Sequence, residues 1–268
     1  MAMVLQILSR LSRVRITLGY AAVLVGVSAA LVDLGPRVRA QVIAQASTNL
    51  HNLAQGHLDT LFGSAFVTDA GPMYFWLPCL VCLLALAELI WRSGRLALVF
   101  VAGHIGATLL VAVGLTAAVE FRWLPLSISR ASDVGVSYGA VAVLGALTAA
   151  IPRRWRPAWI GWWVPVALAA AALGEDFTDV GHSVALFLGM AVSLWMGGPA
   201  RWTPVRCALL AVSAGFGFFM LAHGSWSMLA AAAVGALGAL SAELIVRSRT
   251  ARRRLELAAL APEPALNG

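Results

Sequence analysis

The chain has 268 residues, of which 60% are hydrophobic and only 12% charged. A soluble domain of this length is about one-quarter charged. Together with a mean hydropathy of +0.85, this excludes a water-soluble globule and predicts a polytopic, all-α membrane protein. The net charge of +7 is carried without lysine. All 19 basic residues are arginine, and 15 of them fall in segments assigned below to one membrane side. That asymmetry orients membrane helices and argues against a nucleic-acid-binding surface.

Arg10, Arg13 and Arg15 precede the first apolar segment, 16–34, read as a transmembrane helix rather than a cleaved signal. The stretch 35–72 follows. In it Val38, Val42, Ala46, Leu50 and Leu53 recur at helical spacing between polar residues, which predicts an amphipathic helix at the outer membrane surface. Further bilayer-length segments run over 73–91, 96–118, 134–151, 158–174, 179–196, 205–222 and 226–246. Breaks such as Arg92-Ser93-Gly94-Arg95, Pro152-Arg153-Arg154 and Gly174-Glu175-Asp176 separate them. Basic and acidic loops alternate along the chain. Eight spans result, with both termini cytoplasmic in the plasma membrane. The domain scheme is a cytoplasmic N-terminus (1–15), a six-helix membrane domain (16–196), two extra helices (197–246) and a basic, then disordered, tail (247–268).

Within this frame the ionisable and hydroxyl side chains inside apolar segments are the informative ones. Gly135-Val136-Ser137-Tyr138-Gly139 and Asp179-Val180-Gly181-His182 each open a helix from the outer side. Ser137 and His182 therefore lie at similar depth. Gly145 lies on the Ser137 face, and Ala185 and Gly189 follow His182 at i+3 and i+7. Small residues on facing stripes let two helices approach closely, the condition for a histidine to act as base to a serine. Gly135 permits a tight turn into the helix, and the free N–H groups at the helix start could face an oxyanion.

Other polar groups take structural readings. Glu88 and Arg92 are spaced to pair, as are Glu243 and Arg247. His104 bonds to a neighbouring helix. Asp179 favours its helix N-terminus, with orientation of His182 the alternative. Cys79, Cys82 and Cys207 are buried apolar cysteines. Seven tryptophans near helix ends (76, 91, 123, 155, 159, 202 and 226) are interfacial anchors.

These motifs resemble the rhomboid family over residues 16–196. In that family a G-x-S motif opens the fourth helix of a six-helix core, with a glycine eight residues on, as in Gly135-Val136-Ser137 and Gly145. The histidine opening the sixth helix is followed by small residues, as His182 is by Ala185 and Gly189. Glu88 with Arg92-Ser93-Gly94-Arg95 resembles the end of the family's second helix, and Gly63-Ser64-Ala65-Phe66 the approach to it. The resemblance implies an intramembrane serine endopeptidase. Ser137 would attack the scissile carbonyl of a membrane-anchored protein and His182 would serve as base and then acid, with no metal or organic cofactor. Two departures stand out. Tyr138 replaces the glycine that usually follows the serine, displacing it to Gly139. The family's helix-two histidine and asparagine map onto Pro72 and Trp76, leaving His51, Asn52 and His57 as the substitutes within reach. An inactive relative that binds transmembrane segments is the alternative. A transporter, with a polar path reaching His104, is the third. Oligomeric state is open at this stage.

Overall fold

The computed structural model describes residues 11–69, 71–174 and 176–259. Among these, all regular elements are helical: ten α-helices and four short 3-10 turns. The α-helices are α1 (Arg15–Asp33), α2 (Gly35–Ala46), α3 (Leu50–Ala54), α4 (Thr60–Gly63), α5 (Met73–Glu120), α6 (Ser137–Ala146), α7 (Arg156–Leu173), α8 (Phe177–Ser193), α9 (Pro204–Leu221) and α10 (Ser225–Ala259). The 48-residue α5 is two helices meeting at Arg92, where φ of +70° breaks the helical path. Its two limbs are the second and third predicted spans. Eight apolar rods thus coincide with the eight segments, and the chain is a multi-pass membrane protein.

By length and composition, Ser12–Asp33, Met73–Glu120, Pro204–Leu221 and Ser225–Arg253 are each able to cross a membrane. The shorter apolar helices Ser137–Ala149 and Phe177–Ser193 lie at the centre. Tyr138 through Ala146 are buried on every side of α6, as expected of a helix that is hydrophobic all round. The second limb of α5, α8 and α9 pack around it. Local chemistry sets the helix starts. Proline occupies the first turn of α2, α7 and α9, where its missing N–H costs nothing. Asp176 and Asp179 form a capping box on α8, and Thr203 caps α9.

The two ends of the bundle are held differently. At the acidic end, Thr48 N–H donates to the Asp133 carbonyl (2.9 Å) and Asp133 N–H donates to Ser47 Oγ (2.8 Å), while Gly135 N–H donates to the Ser64 carbonyl (2.9 Å). These bonds tie the 35–72 segment onto the chain that leads into α6. At the basic end, Arg206 donates to the Leu89 carbonyl (2.8 Å), and both Ala200 N–H (3.0 Å) and the Trp202 indole (3.1 Å) donate to the Ala150 carbonyl. Loops predicted on one membrane side do meet at one end. The two C-terminal helices dock separately. On α9, Gly217 accommodates Leu144 of α6, whereas Gly238 of α10 lies against the Gly161 carbonyl of α7 with no room for a Cβ on either glycine.

Several expectations need correction. The helix predicted across Val38 to Leu53 is interrupted at Ser47–Asn49, because the Asn49 side chain caps α3 by accepting Asn52 N–H (2.9 Å) while Ser47 and Thr48 reach Asp133. Glu88 does not pair with Arg92. It accepts from Ile16 N–H (3.0 Å), Thr17 N–H (2.9 Å), the Thr17 hydroxyl (2.7 Å) and the Ser93 hydroxyl (2.6 Å). The carboxylate therefore closes the N-terminus of α1, where backbone donors lack helical acceptors. Glu243 and Arg247 do pair, at 2.6 Å. Cys79 and Cys82 are half-buried and Cys207 is exposed. Of the tryptophans, Trp123, Trp155 and Trp226 are exposed and Trp91 is buried. The Trp159 and Trp202 indoles are brackets within the bundle, bonded to Thr148 Oγ1 and the Ala150 carbonyl.

Candidate functional site at the acidic end of the central helices

Ser137 is the first residue of α6 and His182 lies in the second turn of α8. The chain enters α6 through Gly135 at φ +124°, a conformation that favours glycine. The seam between α6 and α8 follows the predicted small residues. A Cβ on Gly145 would strike the Leu186 carbonyl, and one on Gly189 would strike the Ala142 carbonyl. Ala185 is fully buried. On its other side Ala142 fills the space left by Gly103 of α5. The two helices meet at backbone contact, and their rigidity fixes the distance between the two candidate residues.

At the head of this seam Ser137 and His182 are not hydrogen-bonded to each other. His182 is 6% exposed, and neither of its ring nitrogens has a hydrogen-bond partner. Tyr138 instead packs edge-on against the imidazole, with ring centroids 5.3 Å apart. Its hydroxyl lies over Gly181, in the space a Cβ would occupy. That hydroxyl sits beside the Asp133 carboxylate without a hydrogen bond of normal geometry. Gly139, the displaced glycine of the motif, is where the ring of Phe100 packs against α6. Next to His182, the Ser183 hydroxyl bonds the Ala167 carbonyl of α7 (2.7 Å) and the Asp179 carbonyl (3.0 Å), which locks the rotation of α8.

The helix start offers N–H groups but little else to an oxyanion. Gly135 N–H is already committed to Ser64, and Val136 caps α6 without a side-chain acceptor. The loop residues considered as substitutes have other work. Both amide hydrogens of Asn52 are engaged, by the Ala44 (3.0 Å) and Ser47 (2.7 Å) carbonyls. His51 bonds Gln55, and His57 is exposed.

Asp179 fulfils its helix-start role, since its carboxylate accepts Asp176 N–H (3.3 Å). Its other oxygen accepts from His223 Nδ1 at 3.2 Å, a residue between the apolar segments 205–222 and 226–246. The His223 ring lies 6.1 Å from that of His182. With eight spans, the connections on either side of 179–196 and 205–222 alternate sides, which puts the 174–179 and 222–226 connections at the same end. Asp133, Asp176 and Asp179 thus gather around Tyr138. Burial and the neighbouring Asp176 push the Asp133 carboxyl up to about 7. Such a carboxyl is protonated through the mildly acidic range.

His104 bonds to the 3-10 turn after α4 rather than to another span. Its Nε2 lies 3.1 Å from Ser64 Oγ, which in turn lies 2.9 Å from the Thr48 hydroxyl. A crevice of about 180 Å³ reaches His104 between α1, α4 and the second limb of α5, and apart from Tyr20 and His104 its walls are apolar. It is not the polar path a transporter requires. Among the described residues no group of side chains is arranged to hold a metal ion.

The family described as Rhomboid-like protein matches residues 13–201. No curated protein and no solved structure matches the chain. The matched region ends just before α9, so the last two helices lie beyond the part shared with the family.

Proposed function

Given that the chain belongs to the rhomboid-like protein family, we propose that it binds transmembrane segments of other proteins without cleaving them. The observation that carries this reading is the packing of Tyr138 against His182, with both imidazole nitrogens unpartnered. A general base must reach its nucleophile at about 2.6–3.2 Å; here a tyrosine ring lies on the histidine and Ser137 makes no hydrogen bond to it. The oxyanion donors are also depleted, and loss of one such donor alone slows acyl transfer by roughly 10²–10³. The apolar crevice beside α1 offers apolar side chains of a client helix a place to pack, the means by which helices associate in lipid. The basic end of the bundle faces the cytoplasm and Ser137 and His182 face outward, as the arginine distribution directs.

A serine endopeptidase is the second reading. It is favoured by the backbone contact at Gly145 and Gly189, which brings the helices of Ser137 and His182 as close as a dyad needs. Fluorophosphonate labelling of the full-length protein in native membranes separates the two. Wild type, Ser137→Ala and His182→Ala are compared, with Tyr138→Gly as the variant that uncovers the imidazole. The non-cleaving reading expects no Ser137-dependent labelling of wild type. Wild-type labelling that disappears in both Ser137→Ala and His182→Ala would overturn it in favour of the endopeptidase.

A further inference from the structure

At the basic end of the bundle, opposite the site above, a cleft of about 330 Å³ opens between the start of α1, the kink in α5 and the start of α9. Four arginines line it: Arg13, Arg15, Arg92 and Arg206. Among the described residues Glu88 is the one carboxylate on its wall, and it is already occupied by four donors from Ile16, Thr17 and Ser93. Arg206 spends its guanidinium on the Leu89 and Arg201 carbonyls. Arg13, Arg15 and Arg92 have no carboxylate partner among the described residues. Counting the described residues, four arginines less one glutamate, the cleft carries a formal net charge of +3.

The positive-inside rule accounts for arginines at this end, but not for their convergence from three separate helices onto one concavity. Arg92 reaches the cleft from a backbone at φ +70°, a conformation costly for a residue with a Cβ. Strain of that kind persists where the surrounding structure or a ligand compensates it. Guanidinium groups present paired N–H donors that match phosphate oxygens. From the cleft α1 runs away into the apolar span, and Ile16 and Val23, seven residues apart on one of its faces, are both exposed. A charged pocket at the start of a helix with exposed apolar side chains matches the two ends of a phospholipid.

We infer that this cleft binds the phosphate of an anionic phospholipid headgroup, with the acyl chains lying along α1. Basic pockets between helices on the cytoplasmic side recognise such headgroups. The bound lipid joins α1, the α5 kink and α9 at the point where Glu88 already fastens α1.

The test reconstitutes the full-length protein in phosphatidylcholine vesicles with and without phosphatidylglycerol, and counts retained phosphatidylglycerol by native mass spectrometry after extraction. Wild type retains it. Arg13→Gln/Arg15→Gln/Arg92→Gln retains at least about tenfold less, from the contribution of each arginine near a charged surface. Arg249→Gln/Arg252→Gln/Arg253→Gln, an equal charge change outside the cleft, retains as much as wild type. Single Arg15→Gln and Arg92→Gln variants each give a partial loss, which serves if the triple variant does not fold. Equal retention by the cleft variants, or equal loss from both triples, would overturn the inference. Full displacement of phosphatidylglycerol by inorganic phosphate would also overturn it, assigning the cleft to a soluble anion.

Discussion

Removing the Glu88 carboxylate should release the first helix from the bundle. Glu88 is 2% exposed and accepts two backbone N–H groups and two hydroxyls. In Glu88→Ala the Thr17 and Ser93 hydroxyls can rotate to other acceptors. The Ile16 and Thr17 N–H groups cannot, because they stand at the start of α1 with no helical carbonyl to receive them. Hydrogen bonds to a charged acceptor contribute about 1.5–3 kcal/mol each. Two irreplaceable ones set the expected loss at roughly 3–6 kcal/mol. Glu88→Gln recovers less than half, because one of its two terminal atoms becomes a donor facing donors. Reversible unfolding in mixed micelles, followed by tryptophan fluorescence, measures the loss. Hydrogen exchange at Ile16 and Thr17 locates it. If Glu88→Ala unfolds within about 1 kcal/mol of wild type and both amides stay protected, the carboxylate is not what holds α1.

Two further outcomes follow from the site. Gly189→Ala should destabilise by roughly 2 kcal/mol or more, since its Cβ would meet the Ala142 carbonyl, which cannot step aside. Gly114→Ala, where nothing lies within 4 Å, should be neutral or slightly stabilising, and equal effects in the two variants would refute the tight seam. For Asp133, the folded carboxyl is raised from 3.8 to about 7, so the folded state holds the proton more tightly than the unfolded one. Its contribution is fully present below about pH 4 and is lost as pH rises toward 7, amounting to ~4 kcal/mol at most. Unfolding measured between pH 4 and 7.5 should show this decline in wild type and not in Asp133→Asn, and parallel pH profiles would discount the half-buried carboxyl.

The membrane architecture was legible because bilayer physics acts on local composition. A span must be apolar over its length whatever it packs against, so all eight rods could be read from hydropathy and the arginine-bearing breaks. The α6–α8 seam was legible for a related reason: glycine at Gly145 and Gly189 reports close approach without naming the partner atom. The chemistry of the site was not legible in the same way. Whether Ser137 or Tyr138 faces His182 depends on the rotation of α6 within a ring of helices that buries every face from Tyr138 to Ala146, and a helix apolar all round has no pattern that declares an inward side. Glu88 looked like the i,i+4 partner of Arg92 because local spacing is what a sequence displays. The tertiary fold brought it the N-terminus of α1, 71 and 72 residues away in sequence. The same holds for His223 and Asp179, 44 residues apart. Segment identity, the apolar helices and the small-residue seam belong to the sequence, because each is set by a residue's own transfer energy or size. Which polar group meets which belongs to the tertiary structure, because a hydrogen bond depends on a few tenths of an ångström between elements that the chain places far apart.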